Sequence, residues 1–145
     1  MRQNFIGAWN LIAANFYKPD ETLVKLYGDD PRGLFVYAAN GTMCVQIMKQ
    51  ERPPIPKGQH AAHALENYHD ILVGYIAYFG TYTVDENART VTHHVQGSLI
   101  PNWVNTDLVR EYEFSGNRMT LRTLPASLRG ELMRGELIWE RISHE

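Results

Sequence analysis

With a single cysteine, Cys44, in 145 residues, the chain cannot form an internal disulfide. A reducing cytoplasm is the expected compartment, and the first twenty residues agree, since they lack a charged start followed by an apolar core. No apolar run approaches the roughly 20 residues of a membrane helix, so no membrane partner is expected. Neither sign of charge dominates, because 14 basic and 16 acidic residues are mixed along the chain for a net charge of −2. That removes the basic stripe of a nucleic-acid binder and the polybasic anchor of a membrane-surface protein. Glycine-rich phosphate loops and dinucleotide fingerprints are missing, so no cofactor is expected. No serine stands in a Gly-x-Ser-x-Gly elbow, and Cys44, in an apolar hairpin, reads as a core residue rather than a nucleophile. His60 and His63 are three apart with His69 following, which is not the i, i+4 pair with a nearby glutamate of a helical zinc site. No metal is expected. The length fits one domain over residues 1–145, large enough for a real core.

What is present is strand pattern. Short runs of β-branched and aromatic residues alternate with turn residues. Phe5 to Tyr17 reads as a first strand, and Asn40-Gly41 between two apolar runs is a strong hairpin signal, with strands at about 33–38 and 42–49. Arg52 to Gly58 holds three prolines and cannot be a central strand. After this loop, Ala61, Leu65, Tyr68 and Leu72 fall at helical spacing, which predicts a helix over about 59–71. Such a long connection has the character of a lid. The period returns to two from Tyr75 through Val84, then in Thr90-Val91-Thr92-His93-His94-Val95-Gln96-Gly97-Ser98, and again at about 106–115, 118–124 and 134–142. Eight strands with one inserted helix predict an all-β fold, a closed eight-stranded antiparallel barrel without exposed edges.

Charge assigns the faces. On Asp107 to Phe114, Leu108, Arg110, Tyr112 and Phe114 alternate with three carboxylates, so Arg110 is an internal cation. A turn at Ser115–Arg118 pairs Phe114 with Met119, Tyr112 with Leu121 and Glu111 with Arg122, the last as an outer ion pair. On the last strand the face of Leu137, Trp139 and Arg141 is the inner one. The adjacent histidines must point to opposite sides. Val91, His93 and Val95 form the more apolar face, so His93 faces in and His94 out.

Several segments together resemble the bacterial and fungal lipocalin-like domain proteins, small calycin-type β-barrels. They are Gly7-Ala8-Trp9, Gly33-Leu34 to Met43, Tyr78-Phe79-Gly80-Thr81-Tyr82-Thr83-Val84-Asp85, Thr90 to Val95 with Gly97-Ser98, Pro101-Asn102-Trp103 and Trp139-Glu140-Arg141. The resemblance implies that Trp9 packs beneath Arg141 to close one barrel end, and that the interior holds an apolar or amphipathic small molecule. It carries no uniform activity with it, since fold does not determine function.

Three functions remain open on the residues. In the first, the barrel binds a hydrophobic or amphipathic small molecule, with His93, Arg110, Tyr112, Tyr82, Trp103 and Trp139 lining the site and Trp103 covering its opening. In the second, His93 and Arg110 are catalytic in a cofactor-independent isomerase, cyclase or hydratase, with Tyr82 or Tyr112 as a further proton donor. In the third, His93 and Arg110 are satisfied by their neighbours and the filled barrel is a protein-interaction module. Both ligand readings expect a cavity of about 300 Å³ or more and lose their footing without one. Homo-oligomerisation is left open.

Overall fold

A computed structural model of the chain describes residues 2–54, 69 and 71–143. Ten strands follow one another: β1 (Gly7–Tyr17), β2 (Leu23–Val24), β3 (Arg32–Tyr37), β4 (Thr42–Met48), β5 (Tyr75–Asp85), β6 (Thr90–Ser98), β7 (Asp107–Ser115), β8 (Arg118–Thr123), β9 (Ala126–Leu128) and β10 (Glu131–Arg141). Antiparallel pairing runs β1-β3-β4-β5-β6-β7-β8-β10, and β10 pairs back with β1. The eight strands therefore form a closed barrel, as the pattern predicts. β2 and β9 are short additions, one beside β1 and one beside β10. The expected helix at 59–71, the lid reading and most of the proline loop lie outside the described residues, apart from a helical stretch at 71–73 that leads into β5.

Period-two patterning explains the interior. On β4, Met43, Val45 and Ile47 are buried while Thr42, Cys44 and Gln46 are exposed. This corrects the expectation for Cys44, which lies on the outer face because the strand's larger apolar side chains take the inner one. The β7–β8 hairpin has the expected register of Phe114 with Met119, Tyr112 with Leu121 and Glu111 with Arg122. The expected Glu111–Arg122 ion pair is not what the guanidinium makes. Arg122 instead donates to Glu113 at 3.0 Å and to Glu136 of β10 at 3.1 Å, since a long side chain reaches diagonal and next-strand carboxylates on a twisted sheet.

The last strand begins earlier than the expected 134. Leu128 and Glu131 pair across a two-residue turn in which both Arg129 and Gly130 have positive φ, 51° and 80°. Such a hairpin turn prefers Asn-Gly, so arginine conceals it in the sequence. The Arg129 guanidinium donates to the carbonyls of Leu26 at 3.1 Å and Val73 at 2.5 Å, tying the hairpin to two other parts of the chain.

At the opposite end the barrel is sealed. Phe5 has no exposed surface and meets Tyr37, Tyr112 and Phe114 edge-on, with centroids 4.8 to 5.2 Å away. The Trp9 indole donates to the Phe5 carbonyl at 2.9 Å. Arg141, opposite Trp9 in the β1–β10 register, lies 4.2 Å from the centre of the indole ring and donates to the carbonyls of Ile6 and Asn4. A cation over an aromatic face contributes about 0.5–2 kcal/mol. Gly7 is required beneath it, because its φ is +134° and a Cβ would stand 2.8 Å from the Arg141 guanidinium.

Candidate functional site

Beyond the sealed end, the inward side chains leave a cavity of about 200 Å³. Its walls are apolar, with Phe16, Phe35, Val45, Ile47, Ile76, Leu121 and Leu137 among them. His93, Arg110 and Trp139, from the strand faces read as inner, also line it, and so does Trp103 from the turn after β6. Tyr82 and Tyr112 do not, and this corrects their placement. The Tyr82 hydroxyl donates to the Ala38 carbonyl at 2.9 Å, and the Tyr112 ring packs on Phe5 and Phe114 at the sealed end. Both face inward, but too far along the barrel axis to reach the open space.

His93 is buried with no exposed surface. Its two ring nitrogens are met by two other tyrosines, Nε2 by the Tyr37 hydroxyl at 2.6 Å and Nδ1 by the Tyr78 hydroxyl at 2.7 Å. Tyr37 stands on β3 and Tyr78 on β5. Neither is among the site residues expected from the sequence, although strand parity puts Tyr37 beside Phe35 and Tyr78 beside Tyr82 on inner faces. Gly80, between those two tyrosines, sits at an irregularity in the β5–β6 pairing. A Cβ there would lie 1.9 Å from the His94 carbonyl, so only glycine allows the two backbones this approach.

Donor and acceptor counting orients the three groups. The Tyr37 hydroxyl is buried among Phe5, Phe35 and Tyr82, and His93 Nε2 is its one hydrogen-bond partner among the described residues. Its proton therefore goes to Nε2. The neutral imidazole then carries its own proton on Nδ1 and donates it to the Tyr78 oxygen. Burial holds the His93 imidazole well below its usual 6.5, and the charge of Arg110 and His94 acts in the same direction. Burial pushes the Tyr37 phenol well above 10.0, and the Tyr78 phenol up as well, with Arg110 opposing. All three groups are neutral at physiological pH. His94 belongs to another environment, on the outer face between Asp107 at 2.8 Å and Thr83 at 2.9 Å.

Trp139 and Trp103 complete the polar inventory. Trp139 is buried, stands edge-on to Phe35 with centroids 5.2 Å apart, and its indole nitrogen has no hydrogen-bond partner among the described residues. Trp103, in a 3-10 turn at Pro101–Trp103, meets Tyr78 edge-on at 5.9 Å and is half-buried. Leu124, Ala126 and Ser127 line the cavity and are themselves exposed, so the space opens at that side. Among the described residues, no three His, Cys, Asp or Glu side chains gather as a metal ion would need; His60 and His63 lie outside those residues. No helix among them is long and apolar enough to cross a membrane.

Comparison with known proteins gives two findings. Over 107 residues the chain is 28% identical to the 4'-hydroxy-3'-methoxypropiophenone carrier protein of Aspergillus oryzae, a match that covers 69% of this chain and 96% of that protein. Residues 6–142 match the family model of the lipocalin-like domain. That span runs from the strand bearing Trp9 to the strand bearing Arg141, the pair whose contact seals the barrel, and the chain belongs to the lipocalin-like domain family.

Proposed function

We propose that the protein binds and carries a small, predominantly apolar molecule with a single aromatic ring inside the barrel. The observation that supports this best is the cavity itself, an apolar space of about 200 Å³ with a polar group at one side. Cavities of about 150 Å³ admit benzene, whereas drug-sized ligands need about 300 Å³ or more. The space falls short of the volume that both ligand readings expect, so a drug-sized ligand is given up and what the space favours is one substituted ring over a long acyl chain or a fused ring system. The compound in the relative's name, a methoxylated hydroxypropiophenone, has one substituted aromatic ring.

The acid–base alternative draws less support from the geometry. Both nitrogens of His93 are engaged by tyrosines and its charged form is disfavoured, so the imidazole acts as a strut that fixes Tyr78. An interaction module with a filled interior is not favoured either, since the interior is open.

Calorimetric titration with propiophenone tests the reading. The expected result is saturable binding at one molecule per chain with a negative heat-capacity change, and stabilisation by about 2.7 kcal/mol when the probe is at a hundred times its Kd. Palmitate should give neither. Absence of saturable binding for single-ring probes, with palmitate bound instead, would overturn the size argument.

A further inference from the structure

We infer that the cavity selects the anionic form of its aromatic ligand, holding a phenolate or carboxylate oxygen against Arg110 and the Tyr78 hydroxyl. The inference rests on the binding function proposed above and goes further by naming the ligand's polar end. Three observations carry it.

The first is charge. Among the described residues, Arg110 is the one charged side chain that lines the cavity, and no aspartate or glutamate of theirs lines it. The groups that face Arg110 come from several strands: Tyr37 from β3, Tyr78 from β5 and His93 from β6, with Thr123 opposite it on β8. Tyr27, from the segment after β2, and Trp139 of β10 line the same space. None of these is an acid. The tyrosines keep their protons, burial pushing Tyr27 up to about 12, and the imidazole stays neutral. The half-buried guanidinium gains from a counter-charge on its cavity side, where apolar walls stand in place of water.

The second is the direction of the hydrogen bonds. Tyr37 donates to His93, and His93 donates to the Tyr78 oxygen, while the Arg110 charge opposes the upward shift of the Tyr78 phenol and its guanidinium makes a long bond, 3.3 Å, to the Val109 carbonyl. With its oxygen accepting, Tyr78 has its own proton free to give. The third observation is independent of the other two. The buried Trp139 indole N–H, in the same cavity wall, has no acceptor among the described residues. Arg110, Tyr78 and Trp139 all donate. Beyond the 3.3 Å bond from Arg110 to the Val109 carbonyl they have no acceptor among the described residues, and a negatively charged oxygen is the strongest one available. A chain of neutral donors ending at a cation stabilises an oxyanion without needing a base.

The test uses 4-hydroxypropiophenone, whose phenolate absorbs at longer wavelength than the phenol, and its O-methyl ether, which cannot ionise. At the pH where free probe is half ionised, the bound probe should be almost wholly phenolate, because a cation within a few ångströms favours the ionised form by roughly tenfold or more. The ether should bind more weakly by a similar factor. Arg110→Met should abolish the preference and Arg110→Lys should retain part of it, with thermal melts establishing that both variants fold. The wild-type spectrum tests the idea even if neither variant folds. A bound probe held as the neutral phenol, or an ether that binds as tightly as the phenol, would overturn the anion selection and leave the binding function standing. Failure of both compounds to bind would overturn both.

Discussion

Replacing His93 with leucine should cost about 2–6 kcal/mol of stability, because the change strands two buried hydroxyls, Tyr37 and Tyr78, at about 1–3 kcal/mol each. The triple change that also makes both tyrosines phenylalanine should recover much of that loss, since removing every partner of a buried polar set leaves nothing unsatisfied. The same residue should shape the acid limb of the stability curve. In the fold its proton affinity lies well below the usual value of 6.5, which the unfolded chain regains. The unfolded state therefore binds a proton that the folded state does not. Stability from this residue is complete above about pH 6.5 and falls as the pH drops toward the folded value, at about 1.4 kcal/mol per pH unit. Urea unfolding of the wild type between pH 7 and pH 5 should show that slope, and His93→Leu should lack it. A slope unchanged by the substitution would show that His93 is not the group responsible.

Trp9→Ala should destabilise the barrel by about 3–5 kcal/mol, the range for emptying a buried large aromatic site. Three interactions meet at this indole. It fills the space beside Phe114, donates to the Phe5 carbonyl and lies under the Arg141 guanidinium. Its loss also releases the turn that carries Phe5 into the aromatic cluster. Arg141→Met keeps the alkyl contact while removing the cation and its bonds to Asn4 and Ile6, so it should cost less than Trp9→Ala. Denaturant midpoints measure both, provided that the m-values stay constant. An equal or larger loss for Arg141→Met would mean that the arginine, rather than the indole, seals the end.

The fold was legible because strand alternation is a local property. Residues 107–114 separate three carboxylates from Leu108, Arg110, Tyr112 and Phe114, and that pattern alone orients β7 and its hairpin partner β8. The same rule splits His93 from His94 and places Arg110 and Trp139 along the cavity. The site was legible only as a face, because parity says nothing about depth. Tyr78 and Tyr82 share a face of β5, yet one lines the cavity and the other ends at the Ala38 carbonyl. Depth follows from strand tilt and stagger around the closed barrel, and no run of residues within one strand reports those. Tyr37 illustrates the limit further, since it meets His93 from a strand that is not β6's neighbour. Cavity size was hidden for the same reason, being what remains after side chains from all eight strands have packed.

The chain's three tryptophans offer the most direct test of the central claim, that the open space above the sealed end is a ligand site. Their indole N–H signals can be followed by NMR as propiophenone is added to nitrogen-labelled protein. Trp139, without a partner among the described residues in the cavity wall, and Trp103, at the same cavity, should shift progressively and saturate together, with Trp139 moving downfield as its N–H gains an acceptor. Trp9, already bonded to the Phe5 carbonyl at the sealed end, should stay in place. Saturating probe that leaves Trp139 unmoved, or that moves Trp9 instead, would contradict the account.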